Sequence, residues 1–199
     1  SGSLYFYQTL SNQYVFGIGV QSEYFSGDMF SKRDTLMSGS NNLDVFLSNA
    51  YTYVSFDNQD DFYFPTKGTS ATAKFSIIGD WGDQKGICPI VHYKMKNVFP
   101  AGRRNALLFD VYARGVMGKN YTEVKSTLVG GEPYSQYFDY HFPFVGLPAV
   151  NVGERYVYIA SLGMRFRLSE NHFFTIIGNS LLQDSSWKLN DDARLIYGG

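Results

Sequence analysis

Between residues 154 and 184 the side chains alternate in character with a period of two. The run ERYVYIASLGMRFRL places Tyr156, Tyr158, Ala160, Leu162, Met164, Phe166 and Leu168 on one side. Arg155, Ser161, Gly163, Arg165 and Arg167 fall on the other, with the apolar Val157 and Ile159. Successive side chains of a strand point to opposite faces, so this alternation predicts a β-strand. A run of about 15 residues is longer than the ~5–6 of an ordinary globular strand. It suits a strand that crosses a bilayer, which needs about 9–11 residues inside the hydrocarbon. Ser-Glu-Asn at 169–171 then returns the chain as a second run, HFFTIIGNSLLQD.

The same period recurs upstream. Strands are expected over residues 4–10, 13–26, 43–57, 69–81, 87–98 and 103–117, followed by 154–168 and 173–182. That makes eight candidates, and no segment has a strong helical period. In 13–26, Tyr14, Phe16, Ile18, Val20 and Tyr24 oppose Gly17, Gly19, Gln21 and Glu23. In 87–98, Ile87, Pro89, Val91, Tyr93 and Met95 oppose Cys88, Ile90, His92, Lys94 and Lys96. Pro89 donates no ladder bond, so it belongs near a strand start or at a bulge. In 103–117, Leu107, Phe109, Val111 and Ala113 oppose Asp110, Tyr112 and Arg114. Residues 193–199 are a last fragment, and 118–153 is the longest irregular stretch.

The connections alternate too. Turns at 11–12, 57–68, 99–102 and 169–171 form one set; those at 27–42, 82–86, 118–153 and 183–192 form a second, mostly longer one. Outer-membrane barrels have short periplasmic turns and longer extracellular loops. The expected fold is therefore all-β: an antiparallel transmembrane β-barrel. An aromatic-rich soluble β-protein is the rival reading.

Composition narrows the classes. With 17 basic and 18 acidic residues among 199, there is no basic excess of the kind that nucleic acid selects. Sixteen Tyr, 17 Phe and 20 Gly fit aromatic girdles around a polar interior. The single Cys88 excludes an internal disulfide. No run of about 18 apolar residues predicts a membrane helix. Ser1-Gly2-Ser3 leads straight into Leu4-Tyr5-Phe6-Tyr7 with no signal peptide; for an exported protein the signal is expected either to have been removed or to lie upstream.

DNQDDFYFPTKGTSATAKFSI resembles the strand–turn–strand of the BamA-type surface-antigen barrel superfamily, in which a Pro-x-x-Gly turn launches the next strand. Asp57, Asp61, Phe64, Pro65, Lys67 and Gly68 carry the likeness. A second likeness starts at Val129-Gly130-Gly131 and continues in Phe144-Val145-Gly146-Leu147, where family members have Val-Arg-Gly-Phe/Tyr on a long extracellular loop. The features look most like barrels that follow patatin-like phospholipase domains in Bacteroidetes-type outer membranes.

The resemblance implies a Gram-negative outer-membrane location, lipid as surroundings, no cofactor and about eight strands of a sixteen-stranded barrel. On that reading residues 1–199 are one barrel domain, incomplete at both ends, and the partner is the remainder of a larger polypeptide or another barrel chain. In the family the loop arginine pairs with acidic wall residues; here it is Val145, which counts against an insertase role.

Chemistry is sparse. No Gly-x-Ser-x-Gly nucleophile elbow occurs, so the chain is expected to be non-enzymatic, with any lipase activity in a domain outside it. His92, His141 and His172 lack metal-ligand spacing. Asp57, Asp60 and Asp61 form a hard oxygen cluster that suits Ca²⁺ but suits a strand-capping turn better. Glu23, Lys94, Lys96, Asp110, Arg114, Arg165 and Arg167 are expected to line an aqueous lumen, or else the solvent face of a half-covered sheet. The functional expectation is an anchor or translocation segment of a patatin-like surface protein. Its rivals are an insertase or translocation pore, and a complete eight-stranded barrel holding a small apolar ligand.

Overall fold

The computed structural model describes residues 2–28, 42–81, 86–118, 127–131, 140–148, 151–169, 172–188 and 193–199. The loop expected at 27–42 and the turn at 82–86 therefore fall largely outside the described residues, as do parts of 118–153, 169–171 and 183–192.

Among the described residues nine strands form one antiparallel meander: β1 (Gly2–Ser11), β2 (Tyr14–Asp28), β3 (Asn42–Asp57), β4 (Gly68–Asp80), β5 (Gly86–Pro100), β6 (Asn105–Val116), β10 (Tyr156–Arg167), β11 (Phe173–Asp184) and β12 (Arg194–Gly198). Each pairs with its neighbour in chain order, β6 joining β10. Between β6 and β10 lie three two-residue strands, β7 (Leu128–Val129), β8 (His141–Phe142) and β9 (Asn151–Val152). They form a small sheet of order β8-β7-β9, with β7 and β8 parallel. Among the described residues there is no helix.

Two sequence expectations change. The last fragment is a ninth strand, because Arg194 to Gly198 finds ladder partners in β11 from Asn179 to Gln183. The irregular stretch contains β7, β8 and β9, whose pairing joins residues too far apart for local periodicity to reveal. Among the described residues the sheet is also open: β1 and β12 are its edges, so the order of strands does not close on itself.

Because the meander is antiparallel, consecutive turns fall at opposite ends. The turns after β1, β3, β5 and β10 share one end; those after β2, β4, β6 and β11 share the other. The two sets of connections read from the sequence are thus separated in space.

One row of directly paired residues summarises the outward face. Phe16, Val54, Ala73, Tyr93, Ala113, Tyr158, Leu182 and Leu195 follow one another across eight strands, and all are apolar or aromatic. Leu4, Phe75, Ile77, Leu162, Phe174 and Ile176 are exposed on the same face. The adjacent row points the other way: Val15, Ser55, Thr72, Lys94, Tyr112, Ile159, Leu181 and Ile196. It is polar across β3 to β5 and apolar from β6 to β12. The change occurs where the β6–β10 connection folds onto the sheet. Its Val129, Phe142 and Phe144 pack on Tyr112, Val157, Ile159 and Leu181, all buried. We call this covered side the interior face. The apolar Val157 and Ile159, which sit among arginines in the sequence, are the seat of that connection.

Candidate functional site

The interior face carries all seven charges singled out in the sequence, and their strand positions decide which of them meet. Lys96 of β5 is directly opposite Asp110 of β6, and Asp110 is in turn opposite Ser161 of β10. Opposite charges paired across strands stabilise a sheet modestly. Lys94 is opposite Thr72 and Tyr112. Glu23 of β2 accepts a hydrogen bond from the Gln21 side chain (2.6 Å).

Arg114 is buried between His92 and Val157 in the ladder. Its guanidinium donates to the hydroxyl of the buried Thr127 (3.0 Å) and lies 5.6 Å from the Tyr140 ring. Burial, then the Glu23 carboxylate, push the Tyr140 phenol up from its ordinary value, and Arg114 opposes them. Tyr140 therefore lies within electrostatic reach of both β2 and β6.

The loop motif lies at the heart of this contact. Gly130, Gly131 and Gly146 have positive φ. The Gly130 amide donates to the Phe142 carbonyl (3.0 Å), and Phe144 donates to the Gly131 carbonyl (3.2 Å). His141 is buried with Nε2 3.0 Å from the Gly130 carbonyl, which requires the proton on that nitrogen. Leu147 packs on the buried cluster. Val145 anchors the tip through its backbone: its carbonyl accepts from the Asn179 side chain of β11 (2.9 Å).

At the other end, the turn after β3 is built on carboxylates that accept backbone N–H groups. Asp57 accepts from Gln59, and Asp61 from Tyr63 and Phe64. Asp60 accepts from the amides of Thr66 and Lys67 and from the Thr66 hydroxyl. Asn58 accepts from Thr69 (2.6 Å). Gly68 starts β4 with φ 110°, and a methyl there would come within 2.6 Å of the Asn58 carbonyl, so glycine is required. These contacts occupy the acidic cluster that suited Ca²⁺; among the described residues no three His, Cys, Asp or Glu are grouped to hold a metal ion.

The same turn reaches across the interior face. Pro65 is buried, and its carbonyl accepts from Arg165 Nη1 of β10 (3.0 Å). Phe64 stacks on Phe173 of β11 with centroids 4.5 Å apart. Arg167 donates through Nε to the Ser169 carbonyl. Lys67 takes part through its backbone, its side chain being exposed.

Three features were missed in the sequence. Lys74 lies over the Tyr51 ring (4.4 Å). Tyr51 and Tyr53 cover the glycines opposite them: a methyl on Gly17 would fall 2.1 Å from the Tyr53 ring. Asn179 is a buried polar residue within the apolar run of β11. Each has a signal in the alternation, but its partner is on another strand. No protein-family model matches the chain, and no curated protein matches its sequence.

Proposed function

We propose that this chain is a membrane-embedded β-barrel segment that anchors the polypeptide it belongs to. One observation carries the reading. The outward face is uncovered and apolar or aromatic from β1 to β12, while the charged side chains fall on the opposite face, which the β6–β10 connection covers in part, over an apolar seat on β6, β10 and β11. A water-soluble sheet has the reverse distribution, apolar toward the core and polar toward solvent. In a bilayer the uncovered face meets acyl chains and the burial of apolar surface is satisfied by lipid.

The finer reading is a BamA-type barrel of a Gram-negative outer membrane, following a patatin-like domain. Its support is the resemblance of Asp57, Asp61, Pro65, Lys67 and Gly68, together with a connection bearing Val145, Gly146 and Leu147 that folds against the wall. The connection occupying the interior between β6 and β11 favours an anchor over an open translocation pore. Unpaired strand edges in hydrocarbon are prohibitive. On this reading β1 and β12 pair with further strands, from the rest of a longer polypeptide or from another barrel chain. The open sheet lends no support to a self-closed eight-stranded barrel.

The test is extraction of the natural protein from its cell envelope. The expected result is that alkaline carbonate leaves it in the membrane pellet and detergent releases it. Recovery as a dispersed protein without detergent would sink the proposal.

A further inference from the structure

Three parts of the chain meet at the end of the sheet where β3, β5 and β10 finish, and they enclose a pocket of about 200 Å³. The stacked Phe64 and Phe173 rings form one wall, inclined by only 7°. The Arg165 guanidinium lies 5.7 Å from the Phe64 ring, and that of Arg167 lies 6.0 Å from the Phe173 ring. Arg103 and Arg104, from the turn after β5, complete the lining. That turn is tied to β10 by the Arg167 amide, which donates to the Arg104 carbonyl (3.0 Å). Among the described residues none of the lining side chains is acidic.

We propose that this pocket binds a phosphate group. Four arginines line one small space; the Asp110 carboxylate is within electrostatic reach of Arg165 and offsets part of their mutual repulsion, and an anion in the pocket relieves the rest. A guanidinium is always charged and offers paired N–H donors whose spacing matches two phosphate oxygens. Two of the four are held in place beforehand. Arg165 is buried, with Nη1 fixed on the Pro65 carbonyl, and Arg167 has Nε fixed on the Ser169 carbonyl. Their contacts with aromatic rings restrain the guanidiniums further. Less side-chain freedom is then lost when an anion arrives.

Two sources share this chemistry. One is the headgroup of an anionic phospholipid, which would reach the pocket around the end of the wall, past Arg103 and Arg104 of the exposed turn, since Arg165, Arg167 and Phe173 lie on the interior face. The other is free phosphate. The lipid source rests on the membrane reading; the pocket's affinity for inorganic phosphate does not.

The test uses the full chain in phosphate-free detergent at low salt. Inorganic phosphate and phosphatidylglycerol are titrated separately, with binding followed by calorimetry and by native mass spectrometry. The expected result is saturable binding of at least one probe, one per chain. Affinity should fall about tenfold or more in Arg103→Gln/Arg104→Gln, which removes two exposed charges without touching the Pro65 contact. Arg167→Lys, which keeps the charge and loses the fork, should weaken binding less than the double variant does. Binding of phosphatidylglycerol alone assigns the site to lipid, and binding of both probes shows that the phosphate group suffices. Absence of saturable binding by either probe overturns the proposal, as does a double variant that unfolds at the same temperature as the parent and binds equally well.

Discussion

Arg165 and Pro65 are 100 residues apart in the chain and 3.0 Å apart in the fold, the guanidinium of one donating to the carbonyl of the other. This bond ties the turn after β3 to the far strand β10. Arg165→Met should leave the buried Pro65 carbonyl without its donor and reduce stability by about 1.5–3 kcal/mol. Urea unfolding in detergent would measure the loss, and limited proteolysis should find residues 61–66 newly cleavable.

The uncovered apolar face gives a discriminating substitution. Leu162, 57% exposed, is opposite Phe109 and Gly178 on the outward side of β10. Leu162→Arg should cost about 2–4 kcal/mol if the residue sits near a bilayer midplane. On a water-facing surface the change would stay within about 0.5 kcal/mol. Equilibrium folding into lipid vesicles reads the difference.

Asn179 holds the tip of the β6–β10 connection by one bond to the Val145 carbonyl. Asn179→Ala should lose about 1 kcal/mol of stability. The effect should appear locally, as faster amide exchange at Gly131 and Leu147, whose hydrogen bonds depend on the position of the tip.

The Gly17–Tyr53 pair predicts coupling. Gly17→Ala drives a methyl into the Tyr53 ring and should destabilise by about 1–3 kcal/mol. Tyr53→Ala removes the obstacle, so the double variant should be more stable than the two single losses summed. Strict additivity in a double-mutant cycle would contradict the packing described.

Asp60 provides a pH dependence outside the strands. Slight burial works to raise its pKa, but the hydrogen bonds from Thr66 and then Lys67 outweigh it and hold the carboxyl below its ordinary value. A folded-state pKa below the unfolded one stabilises above the unfolded value, about 3.9, and the contribution is lost as pH falls through the folded value. The Thr66 amide resonance should shift below about pH 4. Asp60→Asn should abolish that titration.

Much of the strand content was legible because the period of two is a local property of the chain. Tyr156 to Phe166 announce one face of β10 without reference to any other strand. The carboxylates and glycine of DNQDDFYFPTKG likewise announce a turn, since Asp61 and Gly68 act on backbone a few residues away. The identity of β12 was hidden in residues 193–199: five residues carry too little alternation, and their strand character comes from the ladder with β11.

By itself the sequence determined which side chains share a face and where the chain turns, because both follow from the geometry of neighbouring peptides. Only the tertiary structure decided which face is covered. Alternation reads the same whichever side is turned inward, and the choice depends on the β6–β10 connection finding Tyr112, Ile159 and Leu181 across three strands. It also decided that Arg103, Arg104, Arg165 and Arg167 share one pocket. Their meeting depends on the register of β6 against β10, which sets Arg104 beside Arg167, and a pairing between strands so far apart in the chain leaves no mark on any stretch of sequence short enough to carry a period.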